Sequence, residues 1–221
     1  MALRRTPFTS GEYYHLYNRG NSKQKIFQDL EDYRRFTTLL YTCNSQNNFK
    51  MFLIQESKNK DSYIWERGKN LVSIGAYCLM PNHFHLLISE ENKEGISKFM
   101  QKLSTAYVMY YNNKYKRTGG LFEGKFRSEH LDEDRYLKYI YSYIHLNPIK
   151  LFQKDWKDHG INDQVEAIMF LDQYEFSSYP EYRGMNRKQK LILNAKTFPN
   201  YFPSPKNFTQ EILDWINYDT C

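Results

Sequence analysis

Two apolar stretches in the middle of the chain constrain its fold more than any other feature. They cover Leu71–Met80 and His83–Ser89, and Pro81-Asn82 separates them. Runs of this length that are rich in apolar and β-branched residues are typical of strands, and a proline-asparagine pair is typical of a turn or a bend. We therefore predict two strands joined at residues 81–82.

Segments with helical periodicity lie before and after these strands. The clearest helix is predicted over Asn92–Lys114, and a second strong one over Asp134–Asn147, where Pro148 ends it. A further helix is predicted after Asp29, which can cap it. Weaker signals predict helices over Val165–Leu171 and Glu211–Tyr218.

Strands are also predicted before and after the helices. The aromatic run Glu12–Asn18 and the segment Lys125–Leu131 are the main ones, and Met51–Ile54 is a shorter one. Within the polar stretch Glu56–Asn70, a hairpin is predicted around residues 63–65. Residues 174–182 are predicted to form a loop.

The order of these elements predicts the fold class. A strand, a helix, two strands, a helix, a strand and a helix follow one another along residues 12–147. This order suits an α+β fold with a ferredoxin-like antiparallel sheet covered by helices. We expect one domain over residues 1–150 and a C-terminal extension of unassigned role over residues 151–221.

Charge and aromatic content favour a polyanionic partner that has stackable bases. The formal net charge is +6, aromatic residues make up 17% of the chain, and 20 of its 221 residues are tyrosine. Nucleic acid fits this composition, although a positive charge can also serve solubility alone. The chain has only three cysteines, without a Cys-x-x-Cys pair, and no apolar run long enough to span a membrane. We therefore expect a cytoplasmic protein without a membrane partner.

The segment His83-Phe84-His85 is a candidate metal site. Side chains alternate along a strand, so the two imidazoles would share one face, roughly 6–7 Å apart along the strand, while Phe84 faces the core. Two imidazoles so placed can converge on one cation. The alternative is a half-exposed histidine pair that binds nothing. The other histidines are scattered along the chain, so a three-histidine zinc site is not indicated.

A second candidate group ends the last strong helix. Tyr143 and Asn147 are four residues apart and therefore share a helix face. Asn147 precedes a proline, which disfavours helical geometry at Asn147. Its amide oxygen is a hard ligand that suits Mg²⁺ or Mn²⁺. The alternative for Tyr143 is an ordinary core aromatic residue.

Together these motifs resemble one family of enzymes. The stretch AYCLMPNHFHLLI (residues 76–88) resembles the His-hydrophobic-His motif of the small single-tyrosine transposases. The stretch YIHLNPIK (residues 143–150) is similar to the catalytic helix of their REP-associated branch. The segments YHLYNRGNSKQKIF (14–27) and GGLFEGKFRS (119–128) also resemble that branch, in the same order, and YEFSSYPEYRG (174–184) resembles a tail segment found there.

The resemblance implies a function and a set of site residues. Single-stranded DNA would be cleaved and rejoined through a covalent 5′-phosphotyrosine intermediate, in DNA transposition or in the processing of repeated hairpin sequences. Tyr143 would be the nucleophile, and His83, His85 and Asn147 would hold Mg²⁺ or Mn²⁺. Relatives in other branches carry glutamine where this chain has Asn147, which keeps the amide oxygen on a shorter side chain.

The expected partners are single-stranded DNA hairpins, and the protein would act as a monomer or a homodimer. The DNA contacts are predicted at six residues: Arg19, Asn21, Lys23, Lys25, Lys125 and Arg127. A cation near Tyr143 would favour its phenolate, and Lys125, Arg127 and Lys138 are candidates. Two alternatives remain: a domesticated module that binds DNA hairpins without cleavage, and a metal-dependent nuclease that uses water.

Overall fold

The computed structural model describes residues 7–48 and 61–218. The predicted strand at residues 51–54 lies outside these ranges. Four strands form one antiparallel sheet in the order β2-β3-β1-β4. Their bounds are Tyr13–Arg19 for β1, Val72–Met80 for β2, His83–Glu90 for β3 and Arg127–His130 for β4.

Two helices connect the strands and cover one face of the sheet. Helix α1 spans Leu30–Thr42 between β1 and β2, and α2 spans Gly95–Lys114 between β3 and β4. The Asp29 side chain caps α1 by accepting a hydrogen bond from the backbone N–H of Asp32, as the sequence predicts. The βαββαβ order with this strand arrangement is ferredoxin-like, so the predicted α+β fold is confirmed.

A third helix, α3, spans Asp134–Leu146 and covers the opposite face of the sheet. The helices that follow are α4 at Ile149–Phe152, α5 at Trp156–His159, α6 at Gln164–Gln173, α7 at Tyr179–Tyr182 and α8 at Pro205–Tyr218. None of the helices in the described residues combines the length and apolar character needed to cross a membrane.

Strand β3 shows how the sheet divides two cores. Phe84, Leu86 and Ile88 are fully buried beneath α1 and α2, as the alternation of side chains predicts. On the other face, Leu87 packs against a second cluster that includes Ile140 and Ile144 of α3. The two histidines of the strand therefore face α3 and lie on the side away from the larger core.

A buried carboxylate ties α1 to α2. Asp32 has no exposed surface, and it accepts hydrogen bonds from the hydroxyls of Tyr110 and Tyr115 and from Lys114. Because each donor lies at the C-terminal end of α2, this network fixes the relative position of the two helices over the sheet.

The C-terminal residues pack against β2 and α3. The backbone N–H groups of Ser178 and Asn194 donate to the carbonyls of Tyr77 and Ile74 in β2, and Lys138 of α3 pairs with Glu211 of α8 at 2.8 Å. The division into a domain of residues 1–150 and an extension of residues 151–221 stays a prediction.

Three local expectations differ from the structure. Residues 62–64 form a 3₁₀ turn instead of a hairpin, and α7 occupies the end of the segment predicted as a loop. Asn147 keeps right-handed helical geometry although a proline follows it. Its side-chain Nδ2 donates to the Tyr143 carbonyl at 2.8 Å, which stabilises the helix end in that conformation.

Candidate functional site

The two histidines of β3 lie side by side at the edge of a cavity. The ring centroids of His83 and His85 are 5.0 Å apart, and the rings are nearly perpendicular. His85 is 5% exposed and His83 is half-buried. Both line an open cavity of about 470 Å³ between the sheet and α3. The two imidazoles therefore share one face of β3, as the alternation of side chains along a strand predicts.

Tyr143 of α3 lines the same cavity. Its ring centroid is 5.4 Å from that of His85 and 5.8 Å from that of His15, in edge-to-face arrangements. The structure thus brings together the proposed nucleophile and the two proposed imidazole ligands, although 58 or more residues separate them in sequence. The other lining residues are His15, Tyr17, Asn18, Arg19, Glu123, Lys125, Arg127, Glu129, Tyr136, Tyr139, Ile140 and Lys150.

Asn147 is placed differently from the other proposed ligands. It is buried, with 1% exposure, and is not among the described residues that line the cavity. Its Nδ2 donates a hydrogen bond to the Tyr143 carbonyl. Its Oδ1 is buried and has no hydrogen-bond donor among the described residues. A buried amide oxygen without a donor is the kind of atom that a cation satisfies.

Hydrogen bonding sets the tautomer of His83. Its Nδ1 lies 2.6 Å from Oδ1 of Asn82, whose Nδ2 donates to the Lys23 carbonyl and so fixes the orientation of the amide. Because an amide oxygen only accepts, Nδ1 of His83 carries the proton and Nε2 carries the lone pair. Burial, followed by the positive charges of Arg19 and Lys150, lowers the pKa of His83 to about 4. The neutral ring is the form that can coordinate a metal.

His85 contacts a third histidine, which the sequence did not single out as a site residue. Nε2 of His15 lies 2.9 Å from Nδ1 of His85, and both rings are buried. Nδ1 of His15 lies 3.6 Å from Oε2 of Glu129. Glu129 also accepts hydrogen bonds from the hydroxyls of Tyr17 and Tyr136. These contacts, of which His15 is the largest, lower the pKa of Glu129 to about 2, so it is a carboxylate at neutral pH.

Basic side chains gather around the cavity, but only some of the predicted DNA contacts are among them. Arg19, Lys125 and Arg127 line it, and Lys150, which the sequence did not single out, lies there too. Asn21, Lys23 and Lys25 are exposed just beyond β1 and are not among the described lining residues. The proposed cation Lys138 instead forms its ion pair with Glu211.

The phenol of Tyr143 is not activated by the protein alone. Burial raises its pKa above the ordinary value near 10, the Asn147 side chain partly offsets this, and the charge of Glu129 raises it further. Since the pKa is raised with the lysine and arginine side chains of the cavity in place, a phenolate at this position needs additional positive charge, which a divalent ion can provide.

The donor set suits a hard or borderline divalent ion. Two imidazoles on one strand face are compatible ligands for Mg²⁺ or Mn²⁺, and the buried Asn147 amide oxygen has suitable chemistry although Asn147 is not among the described residues that line the cavity. In the part of the chain that the structure describes, no group of three or more His, Cys, Asp or Glu side chains could hold a metal ion. Any metal held here would therefore depend on the imidazole pair and on neutral or solvent oxygens.

Residues 67–147 match the family model described as "Transposase IS200 like". This segment, which is less than half of the chain, contains both histidines of the motif, Tyr143 and Asn147. The predicted resemblance to the single-tyrosine transposases is confirmed over these residues.

Two solved structures resemble the chain more distantly. One is a structure of a REP-associated tyrosine transposase bound to a REP hairpin, with a TM-score of 0.48, 12% identity, and coverage of 86% of this chain and 90% of that one. The other is tRNA(His) guanylyltransferase from Saccharomyces cerevisiae, with a TM-score of 0.32, 11% identity, and coverage of 93% and 86%. A search of curated proteins gave no match.

Proposed function

We propose that this protein cleaves and rejoins single-stranded DNA, with Tyr143 as nucleophile and a divalent metal ion held by His83 and His85. The observation that carries the proposal is the shared cavity, in which the phenol ring lies 5.4 Å from His85 within one chain. Asn147 would complete the ligands through Oδ1. When bound, Mg²⁺ or Mn²⁺ would act as a Lewis acid that offsets charge on the scissile phosphate.

The residues of the cavity would carry the remaining steps. The Tyr143 oxygen forms a bond to phosphorus as its proton passes to solvent, the bond from phosphorus to the 3′-oxygen breaks, and that oxygen takes up a proton. The products are a 5′-phosphotyrosine link and a free 3′-hydroxyl. Because the link keeps the energy of the phosphodiester, attack by a 3′-hydroxyl reverses the reaction and joins a strand without ATP.

The basic residues at the cavity would bind the phosphates. Arg19, Lys125, Arg127 and Lys150 are close enough to the site to contact the strand next to the scissile bond. The exposed residues Asn21, Lys23 and Lys25 would contact the folded part of a hairpin, as the sequence resemblance implies. A monomer would then contain one complete site, and a homodimer would contain two.

A cytoplasmic location is also part of the proposal. Cys43 and Cys78 are buried free thiols, which suit a reducing compartment.

The test is incubation of the protein with an end-labelled hairpin oligonucleotide and Mn²⁺, followed by a denaturing gel. We expect a covalent adduct between the protein and the 5′ phosphate of the fragment that lies on the 3′ side of the break. Tyr143→Phe should abolish the adduct and leave DNA binding nearly unchanged. Tyr139→Phe is the matched control, since this neighbouring tyrosine lines the same cavity on the same helix and should keep the adduct.

The same assay separates the alternatives. A DNA shift without cleavage by the unaltered protein would favour a hairpin-binding module. Cleavage that survives Tyr143→Phe and leaves no adduct would favour a nuclease that uses water.

A further inference from the structure

We infer that Glu129 and His15 form a positioning relay that holds His85 in the tautomer that can ligate a metal ion. The inference rests on the proposed metal site. It adds two residues that set the tautomer of one proposed ligand and do not themselves bind the metal. The relay crosses three neighbouring strands, with Glu129 on β4, His15 on β1 and His85 on β3.

The strand register places these side chains in a row. His15 is directly opposite Glu129 in the β1–β4 pair, and His85 is opposite Tyr17, two residues along β1 from His15. All of them therefore project to the face that α3 covers. His15 and His85 are 4% and 5% exposed, so water has little access to the contact between them.

Only one proton can lie between the two facing nitrogens, Nε2 of His15 and Nδ1 of His85, which are 2.9 Å apart. The Glu129 carboxylate decides which of them carries it. At 3.6 Å from Nδ1 of His15, its negative charge favours an N–H group there and disfavours a lone pair. With the N–H group on Nδ1, Nε2 of His15 carries a lone pair and accepts from Nδ1–H of His85.

This arrangement leaves the lone pair of His85 on Nε2, the ring nitrogen on the other side. His83 reaches the same tautomer by a different route, through the Asn82 amide. Both imidazoles of the proposed pair thus have Nδ1 protonated and Nε2 as the coordinating atom. Ligating histidines generally need a partner on the second nitrogen to fix tautomer and ring orientation.

The geometry separates the relay from the other contacts of Glu129. Its two oxygens also accept from the hydroxyls of Tyr17 and Tyr136, at 3.1 and 3.0 Å. Removal of either hydroxyl leaves the carboxylate and His15 in place. Removal of the His15 ring nitrogens breaks the connection to His85 and leaves the tyrosine contacts intact.

The test combines the tautomer of His85, read by long-range ¹⁵N–¹H NMR on the metal-free protein at pH 8, with Mn²⁺ affinity from calorimetry. In the unaltered protein we expect a protonated Nδ1 and a pyridine-like Nε2. His15→Phe and Glu129→Leu should give a mixture of tautomers and roughly 10- to 100-fold weaker Mn²⁺ binding. Glu129→Gln keeps the size of the side chain but loses its negative charge, so it should resemble Glu129→Leu in both signals. Tyr17→Phe and Tyr136→Phe should change neither.

Two outcomes would overturn the relay: protonation of His85 on Nε2 in the unaltered protein, or an unchanged tautomer and Mn²⁺ affinity in His15→Phe. Backbone NMR spectra would verify that each variant is folded. If the unaltered protein bound no Mn²⁺ while His85 showed the expected tautomer and His15→Phe disturbed it, the metal site of the proposed function would fail and the relay would stand.

Discussion

Replacement of Gly75 with alanine tests how closely the helix that carries Tyr143 is packed against the sheet. Gly75 lies in β2, where the register of pairing with β3 shifts between Ile74 and Ala76. A Cβ atom at residue 75 would lie 2.8 Å from the Tyr141 hydroxyl and 3.0 Å from two ring carbons of Phe198. Because Tyr141 is two residues before Tyr143 on α3, the added methyl group would press on the helix near the proposed nucleophile.

The expected cost follows from these distances. The Tyr141 oxygen would have to retreat by about 0.6 Å, and the Phe198 ring by about 0.4 Å, to reach ordinary contact distances. Overpacking of a buried site on this scale typically costs about 1–3 kcal/mol. For a chain of this size, a loss near 2 kcal/mol lowers Tm by roughly 4–8 °C. Since a 1 Å misplacement of a reacting group can cost about 100-fold in rate, we expect roughly tenfold slower cleavage.

Urea unfolding and single-turnover cleavage would measure the two effects in the same preparation. The matched variant is Gly75→Ala combined with Tyr141→Phe, which removes the atom that lies 2.8 Å away. The double variant should be less destabilised than the sum of the single variants, by about 1 kcal/mol. Wild-type stability in Gly75→Ala, or strict additivity in the double variant, would refute the claim that this contact sets the position of α3.

Three further predictions concern other parts of the molecule. Asp32→Ala should lower the free energy of unfolding by about 2–3 kcal/mol, because it removes a fully buried carboxylate that accepts from three half-buried donors. Glu31 is exposed and pairs with the same lysine, so Glu31→Ala should lower it by less than about 1 kcal/mol in the same urea assay. Lys150→Ala should reduce the slope of log affinity against log salt for single-stranded DNA by about 0.7, and Lys138→Ala should leave it unchanged. Burial lowers the pKa of His145 to about 3, so the unfolded chain takes up its proton first and stability should fall as pH decreases from about 6.5 towards 3. Urea unfolding across that range should show a shallower decline for His145→Gln, and equal slopes would contradict the assignment.

The sequence alone was enough to predict those elements whose apolar pattern lies within one short segment. Strands β2 and β3 and helix α2 follow directly from runs and periodicity that lie within 20 residues. The turn at residues 62–64 could not be identified in this way, because its aromatic residue is partly buried through a contact with a distant helix. Tyr63 packs against Tyr41 of α1 at 5.2 Å between centroids, and the Asp61 side chain accepts from its backbone N–H. The aromatic residues of this segment therefore favoured a hairpin, whereas the structure has a 3₁₀ turn there.

The candidate site could likewise be predicted from the sequence only in part. His83 and His85 are neighbours in sequence, and the family resemblance indicated Tyr143, so their meeting in one cavity could be anticipated; their roles remain predictions. Glu129 and His15 are 114 residues apart, and nothing local to either indicates that the two side chains are opposed across a strand pair.

The register that opposes them is set by residues on the other face of β1. Tyr14 and Leu16 are buried in the larger core, and a slip of one residue would expose both and turn His15 into that core. The free energy of burying these apolar side chains, about 1.5–3 kcal/mol each, therefore fixes where the imidazole of His15 lies. It follows that the core beneath the sheet determines the hydrogen bonding above it: a polar substitution at Leu16 should disturb the tautomer of His85 although its side chain never reaches the cavity.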